Sequence, residues 1–135
     1  MRNSILALAV MTSLASAATS IEPVSGLPIF PGAVIDSADG IKSKVFCKKS
    51  VRIVAYYANG SSESADENAW YTKAMPNARV FKSSLDTEVR TFFTPDGTAS
   101  VSTHGYVIQF SRYSPGLTEA EMKLDAGVDG APDCE

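Results

Sequence analysis

Apolar and polar positions alternate with a period of two through most of the middle and second half of the chain. Val51, Ile53, Ala55 and Tyr57 share one face of a run ending at Ala58, with Val54 and Tyr56 on the other. β-branched and aromatic residues at that spacing predict a strand buried on both sides toward its end. The same period recurs at 79–82, at 88–94 (Val89, Thr91 and Phe93 on one face) and at 99–103. It is clearest at 106–113, where Tyr106, Ile108 and Phe110 oppose Val107, Gln109 and Ser111. Pro95-Asp96-Gly97-Thr98 and Ser114-Pro115-Gly116 punctuate these runs as turns, and a further short strand at 33–36 ends before Asp39-Gly40.

Two segments depart from that rhythm. Ser64 stands three residues before Glu67, a capping-box spacing, and Asp66 and Glu67 suit the positive end of a helix. The spacing predicts a helix of about eleven residues, with Ala65, Ala69, Trp70 and Ala74, flanked by Tyr71 and Met75, as its buried stripe and Pro76 as its stop. Thr118 and Glu121 repeat the capping pattern for a helix over 119–126. The order β-β-α-β-β-β-β-α, with hairpin-length turns among the last strands, predicts an α+β fold. That fold is an antiparallel meander with one helix packed on a face and a short C-terminal helix.

Residues 1–17 read as a signal peptide: Arg2, an apolar stretch from Ile5 to Met11, and Ala15-Ser16-Ala17 before the cut. That leaves a single domain at 18–135, with an ordered, proline-punctuated arm at 18–32 and a tail at 127–135. No later segment is long and apolar enough to span a bilayer, so the expected location is periplasmic or secreted. In that compartment the two cysteines, Cys47 and Cys134, pair as a disulfide that tethers the tail. Loop-closure arithmetic gives such a bridge about 4.6 kcal/mol as an upper figure. The rival use, a nucleophilic Cys47 beside His104, leaves Cys134 idle.

Composition narrows the class. At 44% hydrophobic and 20% charged the chain is neither disordered nor fibrous, and its formal charge of −3 excludes a nucleic-acid binder driven by bulk charge. Against that balance, Lys42, Lys44, Lys48, Lys49 and Arg52 gather five of the 12 basic residues into one run. Either the acidic C-terminal stretch neutralises it through the disulfide, or it docks an anionic partner. Tyr56, Trp70 and Tyr71 are the aromatics placed with it on the candidate binding face.

Three short motifs resemble a loose group of small exported bacterial proteins: Phe30-Pro31-Gly32-Ala33, Ala69-Trp70-Tyr71, and Phe93-Thr94-Pro95-Asp96-Gly97-Thr98. The resemblance spans 27–117. It implies a bacterial exported α+β domain and carries no activity, cofactor or site residue with it.

Catalytic chemistry has little to stand on. A single histidine and a disulfide leave too few ligands for structural zinc, and 36–40 lacks the alternating acids of a calcium loop. No metal and no cofactor is expected. The acid pairs Asp66-Glu67 and Glu119-Glu121 sit at helix starts, where the dipole alone favours them. His104, with Ser100 or Ser102 nearby, is the one neutral-pH base available. A non-enzymatic binding module for a protein or envelope polymer, of the inhibitor or immunity type, is the primary expectation. A self-associating envelope component and a small hydrolase using His104 are the alternatives. The surface around His104 separates binding from catalysis: a concave polar pocket points to an enzyme, a flat or convex one to binding.

Overall fold

A computed structural model describes residues 19–134, so the signal segment expected at 1–17 lies outside the described residues. The chain is α+β. A two-residue ladder, β1 (Ser20–Ile21) with β2 (Pro28–Ile29), ties off the N-terminal arm. The main sheet holds β3 (Val34–Ile35), β4 (Lys42–Phe46), β5 (Lys49–Tyr57), β6 (Arg79–Lys82), β7 (Arg90–Phe93), β8 (Ala99–His104) and β9 (Val107–Ser114). Every pairing is antiparallel, in the order β5-β9-β8-β7-β6, and both β3 and β4 lie on the outer edge of β5. The centre is the β5–β9 pair, in register from Ser50 opposite Ser114 to Tyr57 opposite Val107.

Helix α1 (Ser64–Ala74) carries the chain from β5 to the far edge at β6, and β7, β8 and β9 then step back to β5. It therefore lies across one face of the sheet. There Val54, Tyr56, Val101, Ile108 and Phe110 form a core with Tyr71 of α1 and with Val24 and Leu27 of the arm. The Tyr71 hydroxyl donates to the Pro28 carbonyl (2.9 Å) and accepts from the Phe30 amide (3.1 Å), stitching arm to helix. Helix α2 (Glu119–Asp125) covers part of the opposite face, where Met122, Ala126 and Leu117 pack on Val51, Phe93 and Tyr113. Its capping box is formed as the sequence predicts, with Thr118 and Glu121 exchanging side-chain bonds to each other's amides.

Three features differ from the sequence reading. The basic run contains a strand, β4, that pairs with β5 through the two-residue turn Cys47-Lys48. Both turn residues are left-handed, at φ 48° and 65°, a conformation usually left to Asn or Gly. Ser64 does not cap α1: Glu63 holds the cap position in an extended conformation without a side-chain bond. The reason is that Glu67 points inward, one turn from Tyr71, and those two residues are the buried stripe. Ala65, Ala69 and Ala74, expected inside, are exposed.

One turn is closed to substitution. In Pro95-Asp96-Gly97-Thr98 the Asp96 carboxylate accepts from the Thr98 amide and from the Thr94 and Thr98 hydroxyls. These bonds hold its pKa below the usual carboxylate value. Gly97 sits at φ 74°, and a Cβ there would stand 2.2 Å from the Leu117 carbonyl oxygen.

Candidate functional site

Strand alternation decides which polar residues meet. On β8, Ser100, Ser102 and His104 share the face that α2 only partly covers. Their neighbours in register are Ser111 and Gln109 on β9 and Thr91 on β7. These six side chains floor a groove of about 430 Å³. The β6–β7 loop (Ser83, Leu85 and Asp86) walls one side, with the end of α2 at Asp125 and Ala126, and Lys44 of β4 also lines it. The volume lies within the range of small-molecule clefts, roughly 300–1,000 Å³.

The floor is internally wired. Ser100 Oγ and Tyr113 Oη lie 2.9 Å apart, and Tyr113 donates to Asp125 at 2.7 Å. Burial raises the Asp125 pKa, opposed by that hydrogen bond and by the Lys44 charge. Further along, Thr91 Oγ1 and Ser102 Oγ lie at 3.3 Å, and Ser102 Oγ is 2.8 Å from His104 Nε2. Desolvation lowers the His104 pKa, although part of the residue is open to solvent, and the Asp86 charge pulls the other way. The imidazole is therefore neutral at pH 7. The Gln109 amide, His104 Nδ1 and the Lys44 ammonium form no hydrogen bond among the described residues; all three belong to groove-lining side chains, with Lys44 and His104 exposed to solvent.

The residues singled out from sequence are distributed differently. Cys47 and Cys134 are bonded, as expected. Alternation along the hairpin leaves Lys42, Lys44 and Lys49 on the groove face and turns Arg52 to the opposite one, with Lys48 at the turn. Lys42 pairs with Asp39 at 3.0 Å, and Lys44 lines the groove. Lys48 tips the turn, and Arg52 lies in register with Arg112 on the α1 face. Lys49 is engaged by Glu121 of α2 and by the Gly116 carbonyl, so the acidic C-terminal region does neutralise part of the run. Tyr56 and Tyr71 are core residues, not a surface. Trp70 is half-buried, edge-on to Phe30 and Tyr71.

The exposed aromatic pair is Tyr57 with Tyr106, stacked at 5.0 Å and 28°. Tyr57 donates to Asp36 at 2.9 Å, which fixes its ring. Gln109 and Asp86 were not singled out from sequence as site residues. The available signal was a polar stripe at period two on two strands that turn out to be adjacent, Ser100-Ser102-His104 beside Gln109-Ser111.

On the opposite face, Glu67 is fully buried and neither carboxyl oxygen has a hydrogen-bond partner within the described residues. Burial raises its pKa to about 7, with Asp66 adding to the rise and the Gly105 backbone opposing it.

Among the described residues no group of three or more His, Cys, Asp or Glu side chains converges, and no helix is long and apolar enough to cross a membrane. Comparison with known proteins returned no match: no protein family, no curated protein and no solved structure corresponds to this chain. Fold and site define a disulfide-linked α+β domain with a polar groove on its sheet.

Proposed function

We propose that this protein is an exported, non-enzymatic binding module whose ligand lies in the sheet-face groove between His104 and Asp125. The groove around His104 is concave and polar, as a catalytic cleft is. The observation that carries binding over catalysis is that no carboxylate is hydrogen-bonded to His104 among the described residues, while the β8 amides are committed to the ladder. The groove is a polar cleft on central strands, where the Gln109 amide, the Lys44 ammonium and His104 Nδ1 have no hydrogen-bond partner among the described residues. Polar groups of that kind fix the orientation of a small ligand. The disulfide supports an oxidising compartment, hence the periplasm or the exterior. The basic loop is the weaker candidate, since Lys42 and Lys49 already have carboxylate partners.

The test is an NMR titration of the oxidised protein with the low-mass fraction of its source's envelope. Shifts at residues 100–111 that disappear in Gln109→Trp, which fills the groove, are the expected result. Loss of binding in Lys48→Glu with Gln109→Trp unaffected would return the site to the basic loop.

A second reading rests on one specific contact. Ser102 Oγ within hydrogen-bond reach of a neutral His104 is the start of a nucleophile–base pair, in the concave polar surface that catalysis requires. What it lacks is support. Asp86 reaches His104 through its charge alone, and the β8 strand is paired on both sides, so its amides are committed to the ladder. Covalent labelling by a fluorophosphonate, lost in Ser102→Ala, would make the protein an acyl hydrolase instead.

A further inference from the structure

Resting on the groove as the binding site, we infer that its ligand is an uncharged oligosaccharide, held by its hydroxyls in the groove and by a sugar-ring face on Tyr57 and Tyr106. Three observations converge on this class.

The first is what the floor withholds. β5, β9, β8 and β7 are consecutive neighbours in one ladder, so their backbone groups are spent on each other. An extended peptide finds no free strand edge there to pair with. Recognition falls to side chains, and these are a mixed set. The Lys44 ammonium donates, the Asp86 carboxylate accepts, and the Gln109 amide and the neutral His104 do both. A sugar hydroxyl, donor and acceptor at once, meets every one of them.

The second is charge. Asp86 and Lys44 offset one another around the groove, and Asp125 is hydrogen-bonded by Tyr113 with its pKa raised by burial. A phosphate-rich or carboxylate-rich polymer finds no excess of positive charge there to draw it, and an uncharged ligand needs none.

The third is the tyrosine pair. Tyr57 pairs with Val107, and Val107 with His104, so the pair begins two strand spacings from the groove, about 10 Å. Both rings are exposed, at 38% and 58%, and the bond to Asp36 holds one of them in place. An exposed, pre-ordered aromatic surface beside a polar cleft gives the C–H face of a sugar ring an apolar seat at low entropic cost. A chain of several rings lying across the strands reaches both.

The experiment is an NMR titration of the oxidised protein with neutral di- to tetrasaccharides of glucose, galactose and N-acetylglucosamine. Inorganic polyphosphate and a tetra-alanine peptide are run beside them. At least one saccharide series is expected to shift the Gln109 side-chain amide, the His104 ring and the Tyr106 ring together. Tyr106→Ala and Gln109→Ala should each weaken it by about tenfold while the remaining spectrum shows an intact fold. Polyphosphate or peptide occupying the groove while every saccharide fails would overturn the saccharide inference and leave the groove standing. A saccharide that binds but shifts only residues away from 100–111 would overturn both. A groove-bound saccharide indifferent to Tyr106→Ala would remove the tyrosine platform.

Discussion

Cys47 occupies the first of the two left-handed positions between β4 and β5, and its sulfur is bonded to Cys134, 87 residues further on, with 5.1 Å between the two Cα atoms. The bridge thus closes two local problems with one bond. It holds a turn whose residues are poorly suited to positive φ, and it ties down a tail that has little apolar surface of its own. Replacing both cysteines with serine should lower stability by about 2–5 kcal/mol in chemical denaturation. Hydrogen exchange should rise first at 127–134 and at the β4–β5 turn. A loss of under half a kcal/mol would show that neither segment depends on the bridge.

Gly97 is a second point where the backbone leaves no choice. Its amide donates to the Thr94 carbonyl and its carbonyl accepts from the Leu117 amide, so the β7–β8 turn and the segment leading into α2 are locked together. Alanine there combines an unfavourable φ with a Cβ inside contact distance of the Leu117 backbone. Gly97→Ala is expected to cost more than about 2 kcal/mol in thermal or denaturant unfolding and to loosen α2. A variant within half a kcal/mol of the parent would mean that the turn relaxes freely.

The His104 ring is the groove's titratable sensor. Burial lowers its pKa and Asp86 partly restores it, so Asp86→Asn should lower it further, read by the imidazole signals in an NMR pH titration. An unchanged midpoint would place the Asp86 charge out of reach. Because the folded-state pKa lies below the unfolded value, this group is charged more readily in the unfolded chain. Its penalty on the fold grows as pH falls through about 6.5, the unfolded pKa, and is absent above it.

How much of this was legible beforehand depended on whether the signal was local. The strand alternation at Val51–Tyr57 and at Ile108–Phe110, the helix at 64–74 and the Thr118–Glu121 capping box are each written in adjacent residues, and each is present in the structure. β4 was hidden because its turn is Cys47-Lys48, with no Asn or Gly to announce it. The face of α1 was misread because Glu67 fits a capping box as a sequence and a buried stripe as a structure, and packing around Tyr71 decides between them. The groove was invisible for a different reason. Ser100, Ser102, Gln109 and Ser111 read as an open solvent face, and only the approach of Asp125 and the Asp86 loop from distant parts of the chain makes that face concave.

Glu67 gives the sharpest pH dependence. Its carboxyl is buried against the Gly105 turn, whose backbone offsets part of the effect of burial, and Asp66 is the one charged group that adds to it. The folded-state pKa of about 7 lies above the ordinary glutamate value of 4.5, so the protonated acid is the form the fold accepts. Its stabilising effect is complete below about pH 4.5 and is lost as pH rises toward 7, a difference of about 3 kcal/mol across that window. Glu67→Gln keeps the shape and removes the ionisation. The stability of the parent relative to this variant should therefore fall by that amount between pH 4.5 and pH 8, measured by urea unfolding at each pH. Taking the difference between the two proteins cancels the contributions of His104, Asp125 and Asp96, which both share. Parallel stability curves would show that Glu67 stays ionised in the fold, with water or a cation supplying the partners its carboxylate lacks.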